Sequence, residues 1–312
     1  MKLNKNFKTY FLSYAASFLV LYFLICMITN PSLYISKSLD GLSAWAFNVL
    51  PSVLPFMFFT KVLSVLDIMP KLTRPFAPIS QKLFNTPPIS FYTFVMAILS
   101  GYPVGAKMVA DLYLQGKITK NDAFKMTSFC STSGPMFIVG AVGAGMFKSA
   151  KIGYILFLSH AIGAILNGLI YRNLKIKDEK QHAFDKPKQS FNIAEIITNS
   201  TLSILCVGCV IVVFFIIIET LSPVLSLLSQ NLAYFCEGLI EITKGCLDLS
   251  TLGTKLSIIL TSFVIGFGGI STLLQSLTMI SKLKMPVWLF TLQKFTHAIL
   301  SAILTCVLVF LV

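Results

Sequence analysis

The chain has 312 residues, of which 55% are apolar and only 12% charged, with a formal net charge of +13 and a mean hydropathy of +0.81. A soluble domain of ordinary composition carries roughly 25% charged residues. The deficit runs along the whole chain, so the pattern is that of an all-α polytopic membrane protein, with the lipid bilayer as its surroundings. The basic excess then reads as loop asymmetry. There is no polar domain to carry a lysine and arginine stripe with interleaved aromatics, which excludes nucleic acid as a partner.

A membrane-crossing helix needs about 20 apolar residues, and the first candidate covers 11–29. Lys2, Lys5 and Lys8 precede it. Ile28-Thr29-Asn30-Pro31 lacks a small-x-small cleavage pattern, so an uncleaved span with a short connection is expected over 1–41. The second span is 42–66. Residues 70–86, with Pro70, Arg74, Pro75 and Pro78, read as interfacial. The segment 89–113 is long enough to cross but contains Ser100-Gly-Tyr-Pro-Val-Gly-Ala-Lys107. Proline removes a backbone donor, glycine loosens the chain, and a lysine at bilayer depth is costly. A membrane tolerates such a break only where the backbone is buried in protein or lines a wet cavity.

Spans follow at 126–147 and 152–171, and the first of these contains a second break, Cys130-Ser-Thr-Ser-Gly-Pro135. The polar stretch from Arg172 to Lys188 lies in a loop covering 172–196. Beyond it come a span at 197–221 and a segment at 223–248 whose Glu237, Glu241, Lys244 and Asp248 suggest an amphipathic or re-entrant helix. The segment 256–281 is interrupted by Gly266-Phe-Gly-Gly-Ile-Ser-Thr272, and a last span covers 288–312. Cys206 and Cys209 form a C-x-x-C inside a valine and isoleucine run, which reads as packing and not as a zinc or redox pair. Cys236 and Cys246 lie in a more polar region and are free to pair.

Lysine and arginine placement orders these segments. Lys2, Lys5 and Lys8 put the N-terminus in the cytoplasm, and two spans bring the chain back there at Lys71, Arg74 and Lys82. A full crossing by 89–113 would leave Lys117, Lys120 and Lys125 outside. A re-entrant hairpin keeps them inside and leads on to the basic loop at Arg172, Lys175, Lys177, Lys180, Lys186 and Lys188. The span 197–221 then exits, with Glu237, Glu241 and Asp248 outside. For 256–281, charge favours a full span, because a hairpin leaves Lys282 and Lys284 outside. An internal repeat favours the hairpin. Placing Gly101 on Gly268 also places Lys117-Ile118 on Lys284-Met285, within the same order of apolar run, glycine-rich break, basic turn and span. The expected architecture is therefore two inverted repeats, 42–171 and 197–312, with re-entrant hairpins at 89–113 and 256–281.

An interrupted helix exposes unsatisfied N–H groups and about half a unit of positive charge at its N-terminal end. Such ends hold anions. Ser100, Gly101, Tyr102, Pro103, Gly105 and Lys107 are the expected first half of a pocket for an anionic or polar aromatic solute. The alternative is a Gly-x-x-x-Gly packing face with Lys107 snorkelling to the surface. Ser131, Thr132 and Ser133 offer hydroxyls and freed carbonyls to a solute or a sodium ion, or they merely back-bond a kinked helix. Gly268, Gly269, Ser271 and Gln275, flanked by Gly266 and Thr272, form the matching break. Glu237 and Glu241 lie four apart, either as a proton or cation-coupling pair or as a solvated helical face. His297 reads as packed. No metal-ligand cluster, cofactor motif, H-E-x-x-H, G-x-S-x-G or Walker lysine loop is present, so neither an enzyme nor an ATP-driven pump is expected.

In Ser100–Lys107, Cys130–Pro135 and Gly266–Thr272 the chain resembles the YlbJ (SpoVV) family of sporulation integral membrane proteins, which carry a nucleoside-recognition Gate domain. The resemblance covers residues 40–310. It implies a fold like that of the concentrative nucleoside transporters and a role in moving dipicolinate toward the forespore, in the outer forespore membrane. Ile270 and Leu274 stand where the aligned first break has Pro103 and Lys107, which makes the implied site asymmetric. A transporter of small solutes is thus expected, compatible with a homo-oligomer. The alternatives are a nucleoside transporter and a non-transporting assembly or sensing protein.

Overall fold

The computed structural model describes residues 5–66, 69–176 and 192–311. The basic stretch from Lys177 to Lys188, which carries most of the topology signal, lies outside them, as does Lys2. Among the described residues every regular element is helical. The first helices are α1 (Lys5–Thr29), α2 (Pro31–Ala44) and α3 (Leu50–Val65), and a π-helical turn, Trp45–Val49, joins the latter two. Pro31–Leu63 thus forms one apolar rod of 33 residues. Short helices α4 (Met69–Thr73) and α5 (Ala77–Phe84) follow. The Lys71–Phe84 stretch bends by 97° into the next helix, α6. After α6 (Ile89–Ser100) come α7 (Val104–Leu114), α8 (Lys120–Cys130), a π-helical segment Met136–Met146, and α9 (Ala150–Tyr171). The second part comprises α10 (Ile193–Leu225), α11 (Gln230–Ile240), α12 (Ile242–Thr251), α13 (Lys255–Phe267), α14 (Gly269–Met279) and α15 (Val287–Leu311).

Five described helices are long and apolar enough to cross a membrane: Pro31–Leu63, α9, α10, Lys255–Met279 and α15. Leucine, isoleucine and phenylalanine side chains along them stand exposed on the outer surface. A monomer in water would not leave so much contiguous apolar surface uncovered, and the protein is an integral membrane protein.

The two parts repeat one order of elements. Each has a long helix, a helical hairpin, a broken helix and a closing helix. The first hairpin is α6–α7, where a Cβ on Gly105 would stand 2.7 Å from the Ala97 Cβ, so the two helices fold back on each other. The second is α11–α12, in which Gly238 and Gly245 touch backbone to backbone. The broken helices start alike, each from a capping box that satisfies two orphan N–H groups. Asp122 N–H donates to Thr119 Oγ1 at 3.1 Å, and Ser257 N–H donates to Thr254 Oγ1 at 3.0 Å.

Three expectations are corrected here. The segment 256–281 is no hairpin: α13 and α14 run on as one interrupted 25-residue helix. The hairpin of that half lies earlier, at 230–251, inside the segment that polar residues had marked as amphipathic or re-entrant. The register that set Gly101 on Gly268 therefore shifts. Gly101 corresponds to the turn at Glu241, and Gly268 corresponds to Ser131–Gly134. Finally, the span expected at 126–147 starts earlier, at Lys120, so that its expected break, at Ser131–Pro135, falls in the middle.

Candidate solute site

Each hairpin turn is seated on the break of the neighbouring helix. Gly101 has φ +72°, and a Cβ there would come within 2.7 Å of Gly134 N. Only glycine meets both demands, an open left-side conformation and a close backbone approach. One turn further on, a Cβ at Gly105 would overlap the Cys130 carbonyl oxygen, so the hairpin lies directly on the end of α8. In the second half, Gly268 and Gly269 have φ +90° and +72°. A Cβ on Gly269 would stand 3.0 Å from Ile242 N at the tip of the other hairpin. The halves also touch each other, because a Cβ on Gly268 would lie 3.5 Å from the Tyr102 ring and hydroxyl.

These four interruptions surround one cavity of about 80 Å³. Ser100, Gly101 and Tyr102 reach it from the first hairpin, Ser133 and Gly134 from the first break, Glu241 and Thr243 from the second hairpin, and Ser271, Thr272 and Gln275 from the second break. The remaining wall is apolar, with Val53, Phe56 and Met57 of α3 and Val207, Val210 and Ile211 of α10. Glu241 is buried and extended, with φ −137° and ψ 119°. Its carboxylate accepts the Lys244 N–H at 2.8 Å and so caps α12. The Ser271 hydroxyl is buried without a partner.

The first break leaves helix-end groups that need partners, and side chains of α9 and α15 supply them. Asn167 Nδ2 donates to the Ser128 carbonyl at 2.7 Å. The Ser133 N–H donates to His160 Nε2 at 2.9 Å, which fixes that imidazole as neutral at Nε2. His297 Nε2 donates in turn to the His160 carbonyl at 3.0 Å. Lys294 Nζ donates to the Ser131 carbonyl at 2.8 Å and to the Tyr102 hydroxyl, and lies 4.4 Å from the Tyr102 ring centroid.

The structure therefore gathers most, but not all, of the residues singled out from the sequence. Ser131 and Thr132 are buried behind the cavity wall and do not line it. Gly105, Gly268 and Gly269 serve close packing, and Pro103 precedes α7 at the hairpin turn. Lys107 points outward, exposed and away from the cavity. Glu237 and Glu241 do not share a helical face, because Glu241 leaves the helix at the hairpin turn. Glu237 pairs instead with Lys244 at 3.4 Å, and Lys244 also pairs with Asp248. Lys294 was overlooked, although a lysine inside an apolar span is itself a signal of a functional site. Gly238 and Gly245, nearly symmetric about Glu241, were the legible sign of the second hairpin.

Residues 46–150 match the Gate family, described as nucleoside recognition. The Gate match runs from the π-helical turn of Pro31–Leu63 through the first hairpin and the first broken helix, and so contributes half of the cavity wall. Over 325 aligned residues the chain is 27% identical to the sporulation integral membrane protein YlbJ of Bacillus subtilis (strain 168), covering 90% of this chain and 79% of that one. A solved structure of a CNTnw variant in the intermediate 2 state is similar with a TM-score of 0.43 and 13% identity, covering 88% of this chain and 84% of that one. The chain is thus an integral membrane protein, similar over residues 46–150 to the Gate family and along most of its length to a sporulation membrane protein.

Proposed function

We propose that the protein is a secondary transporter or facilitator for a small aromatic dianion, dipicolinate being the fitting example, carried toward the forespore across its outer membrane. The observation that carries this reading is the convergence of three helix N-termini on one cavity, those of the segment Met136–Met146, α12 and α14, together with the first hairpin turn at Gly101 and Tyr102. Each brings N–H groups and partial positive charge. The opposing carbonyl ends are largely occupied from within: Ser131 by Lys294, Ser128 by Asn167, and Gly268 by the Thr272 hydroxyl. The Glu241 charge is held against the helix end it caps. Tyr102, Phe56 and Phe137 add aromatic side chains to the cavity wall. The sporulation relative supports the cellular setting. In this reading the two hairpins are re-entrant and the repeats inverted, with the cavity near the bilayer midplane.

A second reading, transport of a nucleoside, is favoured by the Glu241 carboxylate at the cavity and by the description of the Gate family. A buried carboxylate suits a neutral solute rich in hydroxyl donors. Counterflow of radiolabelled dipicolinate and uridine in proteoliposomes separates the two. We expect dipicolinate to exchange without competition from uridine. Uridine exchange instead supports the second reading. Flux of neither, together with a stable partner complex, supports a non-transporting assembly protein.

A further inference from the structure

A helix broken inside a membrane protein leaves carbonyl oxygens that serve as cation ligands. Here the freed Ser131 carbonyl already has a donor, because it accepts a hydrogen bond from Lys294 Nζ at 2.8 Å. The same ammonium donates to the Tyr102 hydroxyl and stands 4.4 Å from that ring's centroid. Lys294 is 3% exposed, and among the described residues no carboxylate lies within salt-bridge distance of it. Its amine meets a carbonyl, a phenol oxygen and a π face, which are the ligand types of a monovalent cation site. Two further oxygens of this region, Ser131 Oγ and Thr132 Oγ1, are buried with no partner. The charged and titratable groups facing Lys294 are Tyr102 of the first hairpin turn, His160 of α9 and His297 of its own helix.

We propose that the Lys294 ammonium is a tethered cation, which occupies the site that a free coupling ion would otherwise fill and locks the first hairpin turn to the first broken helix. Transport by this protein is then independent of sodium. Removing the ammonium opens a vacancy, lined by the Ser131 carbonyl and the Tyr102 hydroxyl, that small external cations can enter. This inference rests on the transport reading for its consequence but not for its geometry, so a binding measurement that needs no solute can test it alone.

The measurement is the melting temperature of purified protein in detergent with sodium, choline or methylammonium as the only monovalent cation. Wild type should melt at the same temperature in all three. Lys294→Ala should melt lower in choline and be raised by sodium or methylammonium with a saturable dose dependence, whereas a lysine with a merely structural role gives no cation-selective rescue. Lys294→Ser, which removes the amine and leaves a small polar group, covers the case in which Lys294→Ala does not fold. It should gain a saturable sodium-dependent rise that wild type lacks. In proteoliposomes, wild-type flux should stay within about twofold when choline replaces sodium, a change of less than 0.5 kcal/mol. A sodium-dependent melting temperature in wild type overturns the proposal, as does a Lys294→Ala or Lys294→Ser protein that responds to no cation. Sodium-independent melting without flux of any solute leaves the tethered cation standing and counts against the transport reading.

Discussion

The two broken helices meet the same physical demand in different ways. In the first, the interruption is five residues long, and its backbone groups are served from outside by Asn167 and His160 of α9 and by Lys294 of α15. In the second, Gly268 is the interruption and Gly269 opens α14, both at positive φ. Its partners are local: Gly268 N–H bonds back to the Val264 carbonyl at 2.7 Å, and the Thr272 hydroxyl bonds to the Gly268 carbonyl. The first break is therefore tied to α9 and α15 by side-chain hydrogen bonds, whereas the second meets its hairpin by close backbone packing of Gly269 on Ile242.

Substitutions can break or sharpen that contrast. The largest effect is expected where the hairpins close. Gly105→Leu drives a side chain into the Cys130 carbonyl, and Gly245→Leu drives one into Gly238. Each should destabilise by about 3 kcal/mol or more, the upper range of overpacking costs, read as lost folded yield in detergent size-exclusion chromatography. Next comes Asn167→Ala, which strands the buried Ser128 carbonyl and should cost about 1–3 kcal/mol in chemical unfolding. A cost no larger than that of an exposed substitution would show that the first break does not depend on imported partners. Gly269→Ala places a Cβ at positive φ and should cost about 1–2 kcal/mol, without disturbing the cation response described for Lys294. The smallest effect is expected for Lys107→Ala. This side chain is exposed, so stability should move by no more than about 0.5 kcal/mol and solute flux should be unchanged.

Much of the site was readable as chemistry before it was readable as geometry. Ser100–Lys107, Ser131–Pro135 and Gly266–Thr272 stood out because proline, glycine and hydroxyl residues are costly inside an apolar helix, and all three do bound the cavity. Which breaks turn the chain back and which let it run on was not readable from them. That outcome depends on small residues that meet across a turn, Ala97 with Gly105 and Gly238 with Gly245, and not on the residues at the break itself. The charge pattern favoured a full span at 256–281, and the apparent repeat outweighed it wrongly, because a glycine at a hairpin turn and a glycine at a kink look alike in sequence. Lys294 and Gln293 were hidden for a different reason. Their partners, Ser131 and Phe124, are far away in the chain, and only the packing of α15 on α8 brings them together.

The central claim is that the four interruptions form one solute site with walls from α3 and α10. The most direct test is dipicolinate uptake into proteoliposomes by Val53→Trp, which fills the cavity from its α3 wall without touching any break, with Lys107→Ala as the reference. The account predicts that Val53→Trp, folded and reconstituted to the wild-type level, loses uptake by at least about tenfold, or 1.4 kcal/mol, while Lys107→Ala keeps it. Wild-type uptake by Val53→Trp together with loss in Lys107→Ala would contradict it and return the site to the outer face of the first hairpin.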